Sequence, residues 1–505
     1  MNFSISRALP IALAALTASG SANADPVSIL FVGNSYTFGR IPLKPDGTFN
    51  TANSVLTYNA ANVRDLTKPQ GTTLVAIDGN SPAGTPKFTN VFGTNSYPVN
   101  PATGVAMTNP ATLLPGNSYS PHTSTDGWGG MPGIFKQLTV QAGLNYDVAM
   151  STRNAASLRG HLLNTANDNW DLRGNISSQK WDKVVLQEQS DEALPPQTVG
   201  GVALGSNFPS VRAYVDLIED WTHKGKVTIG LGTGQAEVTS YTERNMFNAQ
   251  FGNQANCVAA GGTTAICNSN TTRNLGTNAN ASLATNIYLQ QTWARPDLIN
   301  SPGAKTLDPK TASATYDPTK PVPSYYSSLE TMTAALVTGM NDVANFADDD
   351  GTSGIKSVIP TGQAFLAAVQ LGFATRNMYA SNALTDNLID LWFNDGTHPS
   401  VAGSYLNALT TFGSVTGLDP AMFGADEVAA KDLGLSGYEA YILQEVASYQ
   451  LGFRNNVPEP GTLVLVAAAL GLMGATARRR KAKVSFPTFI GYRRSCLLNR
   501  RATQR

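Results

Sequence analysis

The fold is decided by a stretch that reads Ile29-Leu30-Phe31-Val32-Gly33-Asn34-Ser35-Tyr36-Thr37. Its consecutive apolar residues predict a short strand that is buried on both faces of a sheet. Gly33 and Asn34 then predict a turn, because both residue types tolerate positive φ. The predicted strand therefore ends directly before the hydroxyl group of Ser35.

Other short apolar segments lie between polar residues or glycines, at Tyr146–Ser151, Lys183–Leu186, Val227–Leu231 and Ser357–Pro360. Helical patterns separate several of them, at Pro132–Ala142, Pro209–His223 and Leu329–Phe346. Strands that alternate with helices predict a parallel sheet with right-handed crossovers. We therefore predict a three-layer α/β/α sandwich with a parallel, flavodoxin-like sheet of about five strands. Its active site is expected at the carboxyl ends of the strands, where Ser35 lies.

Two long connections, at about residues 40–130 and 237–281, are rich in Thr, Asn, Pro and Gly and show little helical periodicity. We interpret both as structureless loop insertions within one domain. The first follows Ser35 directly. It is expected to form either a lid or wall of the substrate cleft or a flexible surface loop.

A second motif lies near the other end of the domain and reads Asp395-Gly396-Thr397-His398-Pro399-Ser400. A serine hydroxyl becomes a good nucleophile when a neutral imidazole accepts its proton, and a carboxylate orients that imidazole and stabilises its charged form. Taken alone, each motif is typical of an ordinary turn or helix cap. The chain has only 4 histidines. It is therefore improbable that one of them follows such a turn by chance while Ser35 lies at the other end of the domain, and the combination favours a catalytic site.

The two motifs together resemble the SGNH/GDSL hydrolases, which pair a serine block at the first strand with a D-x-x-H block near the end of the domain. The resemblance covers about residues 27–418, with gaps, and extends loosely to Trp293-Ala294-Arg295 and to residues 184–190. It implies that Ser35 is the nucleophile, His398 the base and Asp395 the group that orients the base. No G-x-S-x-G elbow surrounds Ser35, which disfavours the α/β-hydrolases.

The resemblance also implies three oxyanion donors: the amide of the nucleophile, a glycine amide after the second strand and an asparagine side chain after the third. The corresponding segments here read Arg153-Asn154-Ala155-Ala156-Ser157-Leu158 and Gln187-Glu188-Gln189-Ser190. A backbone amide does not require glycine, and glutamine carries the same NH₂ donor as asparagine. The candidate oxyanion donors are therefore Ser35, Ala155 and either Gln187 or Gln189.

Both ends of the chain have the character of targeting signals. Residues 1–24 contain Arg7, an apolar run and Ala22-Asn23-Ala24, a pattern typical of a secretory signal peptide. Residues 456–483 contain Val457-Pro458-Glu459-Pro460, an apolar stretch and a basic cluster. That segment closely resembles the PEP-CTERM sorting signal of Gram-negative bacteria, which leaves residues 25–455 as the hydrolase-like domain.

The resemblance of the tail implies transient association with the inner membrane, cleavage by a sorting protease and delivery to the cell surface or extracellular matrix. An ordinary C-terminal membrane anchor is the alternative, because the apolar stretch and the positive charges after it also fit a marginal membrane helix. Residues 484–505 form a basic extension, to which the sequence assigns no role.

Charge and composition exclude several classes of partner. The predicted ends contain 11 of the 35 basic residues and 1 of the 35 acidic residues, so residues 25–455 carry 24 basic and 34 acidic residues, a net charge of about −10. This balance argues against nucleic acid as a partner.

The sequence has no zinc, EF-hand, phosphate-loop or dinucleotide pattern, so we expect no metal and no cofactor. Cys257 and Cys267 predict a disulfide, because exported proteins fold under oxidising conditions.

These observations predict an exported serine esterase of the SGNH/GDSL type that removes O-acyl groups, such as acetyl, from carbohydrate or polysaccharide. The carbohydrate substrate follows from the predicted location rather than from the residues of the site. The alternative is a catalytically weak or inactive carbohydrate-binding or matrix protein of the same fold, which the irregular oxyanion segments favour.

Overall fold

The computed structural model describes residues 25–39, 54–66, 128–153, 156–163, 172–299, 324–347, 354–380, 383, 385–393 and 396–455. A six-stranded parallel sheet lies at the centre of this part of the chain. Its strands are β1 (Val27–Gly33), β2 (Arg64–Asp65), β3 (Tyr146–Thr152), β4 (Lys183–Gln187), β5 (Asn286–Gln290) and β6 (Ile355–Ile359). Two further antiparallel strand pairs join Thr198–Val199 to Val202–Ala203 and Ser240–Thr242 to Thr272–Asn274.

The α-helices of the described residues include short turns as well as long packing helices. They are α1 (Ser35–Phe38), α2 (Gly130–Gln141), α3 (Leu158–Leu163), α4 (Leu172–Ile176), α5 (Phe208–His223), α6 (Glu243–Phe251), α7 (Gln254–Ala259), α8 (Thr264–Cys267), α9 (Pro296–Ile299), α10 (Leu329–Phe346), α11 (Thr361–Gln370), α12 (Val401–Thr416), α13 (Val428–Asp432) and α14 (Gly437–Gln450). Two 3₁₀ turns occupy Ala60–Asn62 and Pro420–Met422.

The sheet has the strand order β6-β5-β4-β1-β3-β2. If the two-residue edge strand β2 is set aside, the five longer strands follow the flavodoxin-like order 2-1-3-4-5. The predicted α/β fold with a parallel sheet is therefore confirmed. The sheet has six strands rather than about five because β2 pairs with the outer edge of β3.

Strand β1 is buried because β3 and β4 pair with its two edges and helices cover its two faces. Alternate side chains point to opposite faces, so Leu30 and Val32 join a core that contains α5 and α10. Phe31 faces the other layer and packs edge-on against Phe135 of α2, with ring centroids 5.3 Å apart. A fully buried side chain of this size contributes about 1.5–3 kcal/mol, so the four-residue apolar run anchors the sheet.

The predicted strand Val227–Leu231 is wrong. Val227 makes an isolated bridge with Val238, and Leu231 is 46% exposed. Gly232 and Gly234 both have positive φ and offer no side chain to pack on a neighbouring strand. The position in the sheet is taken by β5, whose short apolar centre lies between the polar residues Asn286 and Gln290.

The prediction of a structureless insertion at residues 237–281 is also wrong, since this segment contains an antiparallel strand pair and, between its strands, helices α6, α7 and α8. Its polar residues cap those helices: Thr242, Asn253 and Thr263 each accept the backbone N–H three residues ahead. A disulfide joins Cys257 to Cys267 across a Cα–Cα distance of 6.0 Å. We refer to residues 240–274 as the disulfide-linked unit.

The disulfide-linked unit is tied to helix α3 by the buried carboxylate of Glu243. That carboxylate accepts from Arg159 of α3 at 2.6 Å and from Arg273 at 2.6 Å. Although burial opposes the charged form, hydrogen bonds from these two guanidinium groups lower the pKa of Glu243 to about 2. The unit and α3 therefore share a buried ionic contact.

Part of the predicted insertion at residues 40–130 and both predicted targeting segments lie outside the described residues. The structure describes residues 54–66 and 128–130 of the insertion, which include β2 and the turn Ala60–Asn62. None of the helices that it describes is long and apolar enough to span a bilayer.

Candidate active site

The register of the sheet brings several strand ends to one edge. Gly33 pairs with Thr152, and Gln187 pairs with Gln290, which itself pairs with Ile359. The segments that follow β1, β3, β4 and β5 therefore leave the sheet side by side. Ligand sites of open parallel sheets lie at this carboxyl edge, where the strand order reverses on either side of the first strand.

Ser35 and His398 meet at this edge although 363 residues separate them in the chain. Oγ of Ser35 lies 2.7 Å from Nε2 of His398. Their exposed fractions are 5% and 8%. A serine hydroxyl that donates to an unprotonated imidazole nitrogen at this distance is positioned for proton transfer during nucleophilic attack.

The turn that carries His398 is held by its own backbone. Trp392 and Pro399 form an antiparallel bridge, and the Phe393 N–H donates to the His398 carbonyl at 2.7 Å. Gly396 has a φ of 69°, and a Cβ there would lie 1.9 Å from the Tyr379 hydroxyl, so glycine is required. Asp395, the predicted orienting group, lies outside the described residues, as does the oxyanion candidate Ala155.

The turn that carries Ser35 begins at the helix cap Asn34. Its Oδ1 accepts the Tyr36 N–H at 3.1 Å, and its carbonyl accepts the N–H groups of Thr37 and Phe38. Within the part of the chain that the structure describes, the Ser35 N–H donates to no acceptor. A buried backbone donor beside the nucleophile is the arrangement that an oxyanion site requires.

The Gln187 side chain, at the end of β4, also holds the Ser35 turn. Its Oε1 accepts from the Asn34 N–H at 3.0 Å and from the Thr37 hydroxyl at 3.0 Å, and its Nε2 donates to the Glu188 carbonyl. A Cβ on Gly33 would lie 2.2 Å from Thr37 Oγ1 and 2.7 Å from Gln187 Oε1. Gly33 is therefore needed because the turn closes tightly over the strand end.

Gln189, the other glutamine candidate, lies near the same edge but has different contacts. Its backbone N–H donates to the Glu188 carboxylate at 2.6 Å. Its residue is partly exposed, and among the described residues its side-chain amide forms no recorded hydrogen bond. The amide of Gln189 is therefore available for a ligand, whereas that of Gln187 donates within the protein.

The side chain of His161 stabilises the Ser35 turn at the end of β1. This histidine of α3 is fully buried, and its Nε2 lies 2.8 Å from the Gly33 carbonyl. Because a carbonyl only accepts, the imidazole carries its proton on Nε2. Burial lowers the pKa of His161 to about 4, so the ring is neutral near pH 7.

Glu188 ties together the two segments that contain oxyanion candidates. Its buried carboxylate accepts from the Leu158 N–H at 3.1 Å and from the Gln189 N–H at 2.6 Å. Burial, together with repulsion from the nearby carboxyl of Glu192, raises the pKa of Glu188 well above its ordinary value. Burial and the charge of Asp191 raise the pKa of Glu192 to about 8.

A buried cation also lies at this edge. Arg295 pairs with Asp297 at 2.7 Å and with Asp191 at 3.3 Å, and it donates to the Ser190 hydroxyl at 2.9 Å. Burial opposes its charge, but the two carboxylates raise the pKa of Arg295 overall. Because two acidic groups already neutralise it, this arginine is not arranged to bind an anion.

Sequence reasoning did not identify the support provided by Gln187, His161 or Glu188. All three contacts depend on which strand ends become neighbours, and no short motif contains that information. The only sequence signal for these contacts was the position of Gln187 and Glu188, which directly follow a predicted strand.

Comparison with known proteins gives one match within the chain's C-terminal region. Residues 456–481 match the PEP-CTERM protein-sorting motif, which implies export, processing by an exosortase and sorting to the cell surface. This confirms the predicted sorting segment. No curated protein matches the chain.

Among solved structures, the chain is similar to a DUF4886 family protein from Bacteroides uniformis. The two are 12% identical, with a TM-score of 0.34, and the match covers 87% of this chain and 99% of the other. A likeness at this level carries no information about function.

Proposed function

We propose that residues 25–455 form an exported serine esterase of the SGNH type that removes O-acyl groups from carbohydrate. The observation that carries this proposal is the 2.7 Å contact between Ser35 Oγ and His398 Nε2 at the carboxyl edge of a parallel sheet. In this arrangement the hydroxyl can act as the nucleophile and the imidazole as the general base of acyl transfer.

The chemistry proceeds in two halves. Ser35 Oγ attacks the ester carbonyl while His398 accepts its proton, and the tetrahedral intermediate collapses as that proton passes to the departing alcohol. A water molecule then gives its proton to His398 and attacks the acyl-enzyme, which releases the carboxylic acid and restores Ser35. In this proposal Asp395 orients His398 and stabilises the imidazolium.

The oxyanion of each intermediate needs donors aimed at it. We assign the Ser35 N–H to this role because it has no acceptor among the described residues. Ala155 and the partly exposed amide of Gln189 are the other proposed donors. Gln187 is assigned to positioning, because both ends of its side chain are already hydrogen-bonded within the protein.

The sorting motif supports the choice of substrate class. An exported, surface-sorted protein meets the polysaccharide of its own cell envelope first, and an O-acyl group on that polysaccharide is the substrate that we propose. The excess of acidic residues in residues 25–455 is compatible with a neutral sugar ester and unfavourable for a polyanion.

The test is acetate release from an acetylated polysaccharide by the mature exported protein. We expect Ser35→Ala to lower turnover by about 10⁴-fold or more while the thermal midpoint stays nearly unchanged, because the substitution removes only one hydroxyl. Ser210→Ala is the matched control, since Ser210 is also buried but lies on α5. Turnover by Ser35→Ala within tenfold of the wild type would contradict the proposal.

A non-catalytic carbohydrate-binding protein is the second candidate. The observation that favours it is the Nε2 of Gln187, which donates to the Glu188 carbonyl rather than toward the Ser35 hydroxyl. Polysaccharide binding by the wild type without any acetate release would establish this alternative.

A further inference from the structure

Trp293 lies between the two halves of the proposed active site. It follows β5 and is 1% exposed. One face of its indole stacks on Tyr36, with ring centroids 4.5 Å apart and an interplanar angle of 17°. The other face stacks on Phe365 of α11, at 4.8 Å and 8°. Trp293 is thus the middle ring of a three-ring stack.

The stack reaches the nucleophile through Tyr36, the residue directly after Ser35. The Tyr36 ring also meets the His398 ring edge-on, with centroids 5.2 Å apart. The Tyr36 ring therefore lies between Trp293 and the two reacting side chains. A shift of Trp293 displaces Tyr36 and, through it, Ser35 and His398.

The edge of the indole reaches the turn of the base. Nε1 of Trp293 donates to the Thr397 carbonyl at 3.0 Å, one residue before His398. The next segment adds a weaker link, because the Asp297 N–H points to the Gly396 carbonyl at 3.4 Å. The turn that carries His398 is therefore held against residues 293–297 as well as by its own backbone.

We propose that Trp293 is a positioning residue that sets the distance between Ser35 and His398. Its ring fixes Tyr36 beside the nucleophile, while its N–H fixes the carbonyl beside the base. The inference rests on the proposed esterase function and adds a residue to it. In the described part of the chain, the ring stacks and the hydrogen bond of Trp293 join it to Tyr36, Phe365 and Thr397, so it acts on Ser35 and His398 through Tyr36 and Thr397.

The physical reason is the steep dependence of proton transfer on geometry. Displacement of a catalytic group by about 1 Å can cost roughly a hundredfold in rate. The contact of 2.7 Å joins two turns that are 363 residues apart in the chain, so it depends on groups that contact both. Trp293 is such a group.

Trp293→Phe separates the two contacts, because phenylalanine keeps an aromatic ring in the stack but removes the indole N–H. We expect kcat for acetate release by the mature protein to fall about tenfold to a hundredfold, with KM within about twofold. Labelling of Ser35 by a fluorophosphonate probe is expected to slow by a similar factor, since it also needs the serine–histidine pair.

Trp181→Phe is the matched control. Trp181 is also buried, and its Nε1 donates to the Ile176 carbonyl at 2.9 Å, away from the proposed site. We expect this variant to lose comparable thermal stability and to keep kcat and the labelling rate within about twofold. An equal loss of kcat in both variants would overturn the inference.

Phe365→Leu provides a second test if Trp293→Phe does not fold. Phe365 touches the outer face of Trp293, and no contact with Ser35 or His398 is recorded for it among the described residues. A fall in kcat of about threefold to tenfold with KM unchanged is expected, and an unchanged kcat would contradict the inference. A wild-type protein that neither hydrolyses esters nor reacts with the probe would instead refute the proposed function.

Discussion

The two turns that meet at the candidate site are stabilised in different ways. The Ser35 turn follows the central strand, and buried side chains from other elements hold it, namely Gln187 of β4 and His161 of α3. The His398 turn lies far from the sheet in sequence and is closed by backbone pairing between residues 392–393 and 398–399. The nucleophile is thus fixed by the core, and the base is fixed by its own loop and by Trp293.

This difference suggests how the two turns respond to mutation. A substitution near Ser35 disturbs buried polar groups, so it is expected to reduce stability and turnover together. A substitution that removes only a charge beside His398 leaves the backbone pairing of its turn in place, so it is expected to reduce turnover with little loss of stability. The following predictions test that distinction.

Asp395→Asn tests the His398 turn and has the largest expected effect. An amide of the same shape disturbs the tautomer of His398 and removes the charge that stabilises the imidazolium, so kcat is expected to fall by about 10⁴-fold. Turnover is measured with an acetylated sugar and folding with the thermal midpoint, which is expected to change little. His398→Ala sets the lower limit of turnover, and a kcat for Asp395→Asn near the wild-type value would remove Asp395 from the site.

Gln187→Ala tests the Ser35 turn and has a smaller effect on rate. The buried Asn34 N–H and Thr37 hydroxyl lose their acceptor, which costs about 1–3 kcal/mol of stability. We expect kcat to fall about tenfold to a hundredfold because the turn shifts.

Gln189→Ala is the matched comparison for Gln187→Ala. If its amide stabilises the oxyanion, kcat falls about a hundredfold without loss of thermal stability. Lower kcat with unchanged stability in Gln187→Ala instead would move the oxyanion role to Gln187.

His161 predicts a modest dependence of stability on pH. Its pKa is about 4 in the folded protein against an ordinary value of 6.5, so only the unfolded chain gains the proton between these values. Stability is therefore expected to decline by about 1–3 kcal/mol as the pH falls from about 6.5 towards 4.

The comparison with His161→Gln isolates this contribution of the imidazole. Denaturant titrations at pH 7, 5.5 and 4.5 are expected to show a steeper loss for the wild type than for His161→Gln. Parallel pH dependence in the two proteins would exclude His161 as the source. Glu243, with a pKa lowered to about 2, contributes only below about pH 4.5, where protonation of its carboxylate also destabilises the folded state.

Much of the sheet was predictable because buried parallel strands are short apolar runs. The runs at residues 27–33, 146–152 and 183–187 lie in a polar sequence and so were visible. Strand β5 has only Ile287, Tyr288 and Leu289 between polar ends, whereas the segment Val-Thr-Ile-Gly-Leu at residues 227–231 offers five residues of mostly apolar and β-branched character. Segment 237–281 was misinterpreted because threonine and asparagine favour both loops and helix caps.

The candidate site was predictable only where a motif contains the chemistry. Ser35 and His398 were found from their neighbours in the sequence, and the structure places their reactive atoms 2.7 Å apart. The roles of Gln187, His161 and Trp293 follow from contacts between residues that lie 104 or more positions apart in the chain. Such contacts depend on which side chains at neighbouring strand ends and loops point towards each other, which the sequence alone did not provide.

The disulfide-linked unit has a practical consequence for obtaining the protein. Cys257 and Cys267 remain thiols in the cytosol, where reducing systems are maintained, and cross-link only in an oxidising compartment. The same unit contacts α3 through Glu243, and α3 supplies His161 beneath the Ser35 turn. Recombinant production is therefore best directed to the periplasm of the host. Material made in a reducing cytoplasm lacks the disulfide, and the unit without it is the one that contacts helix α3 beneath the Ser35 turn.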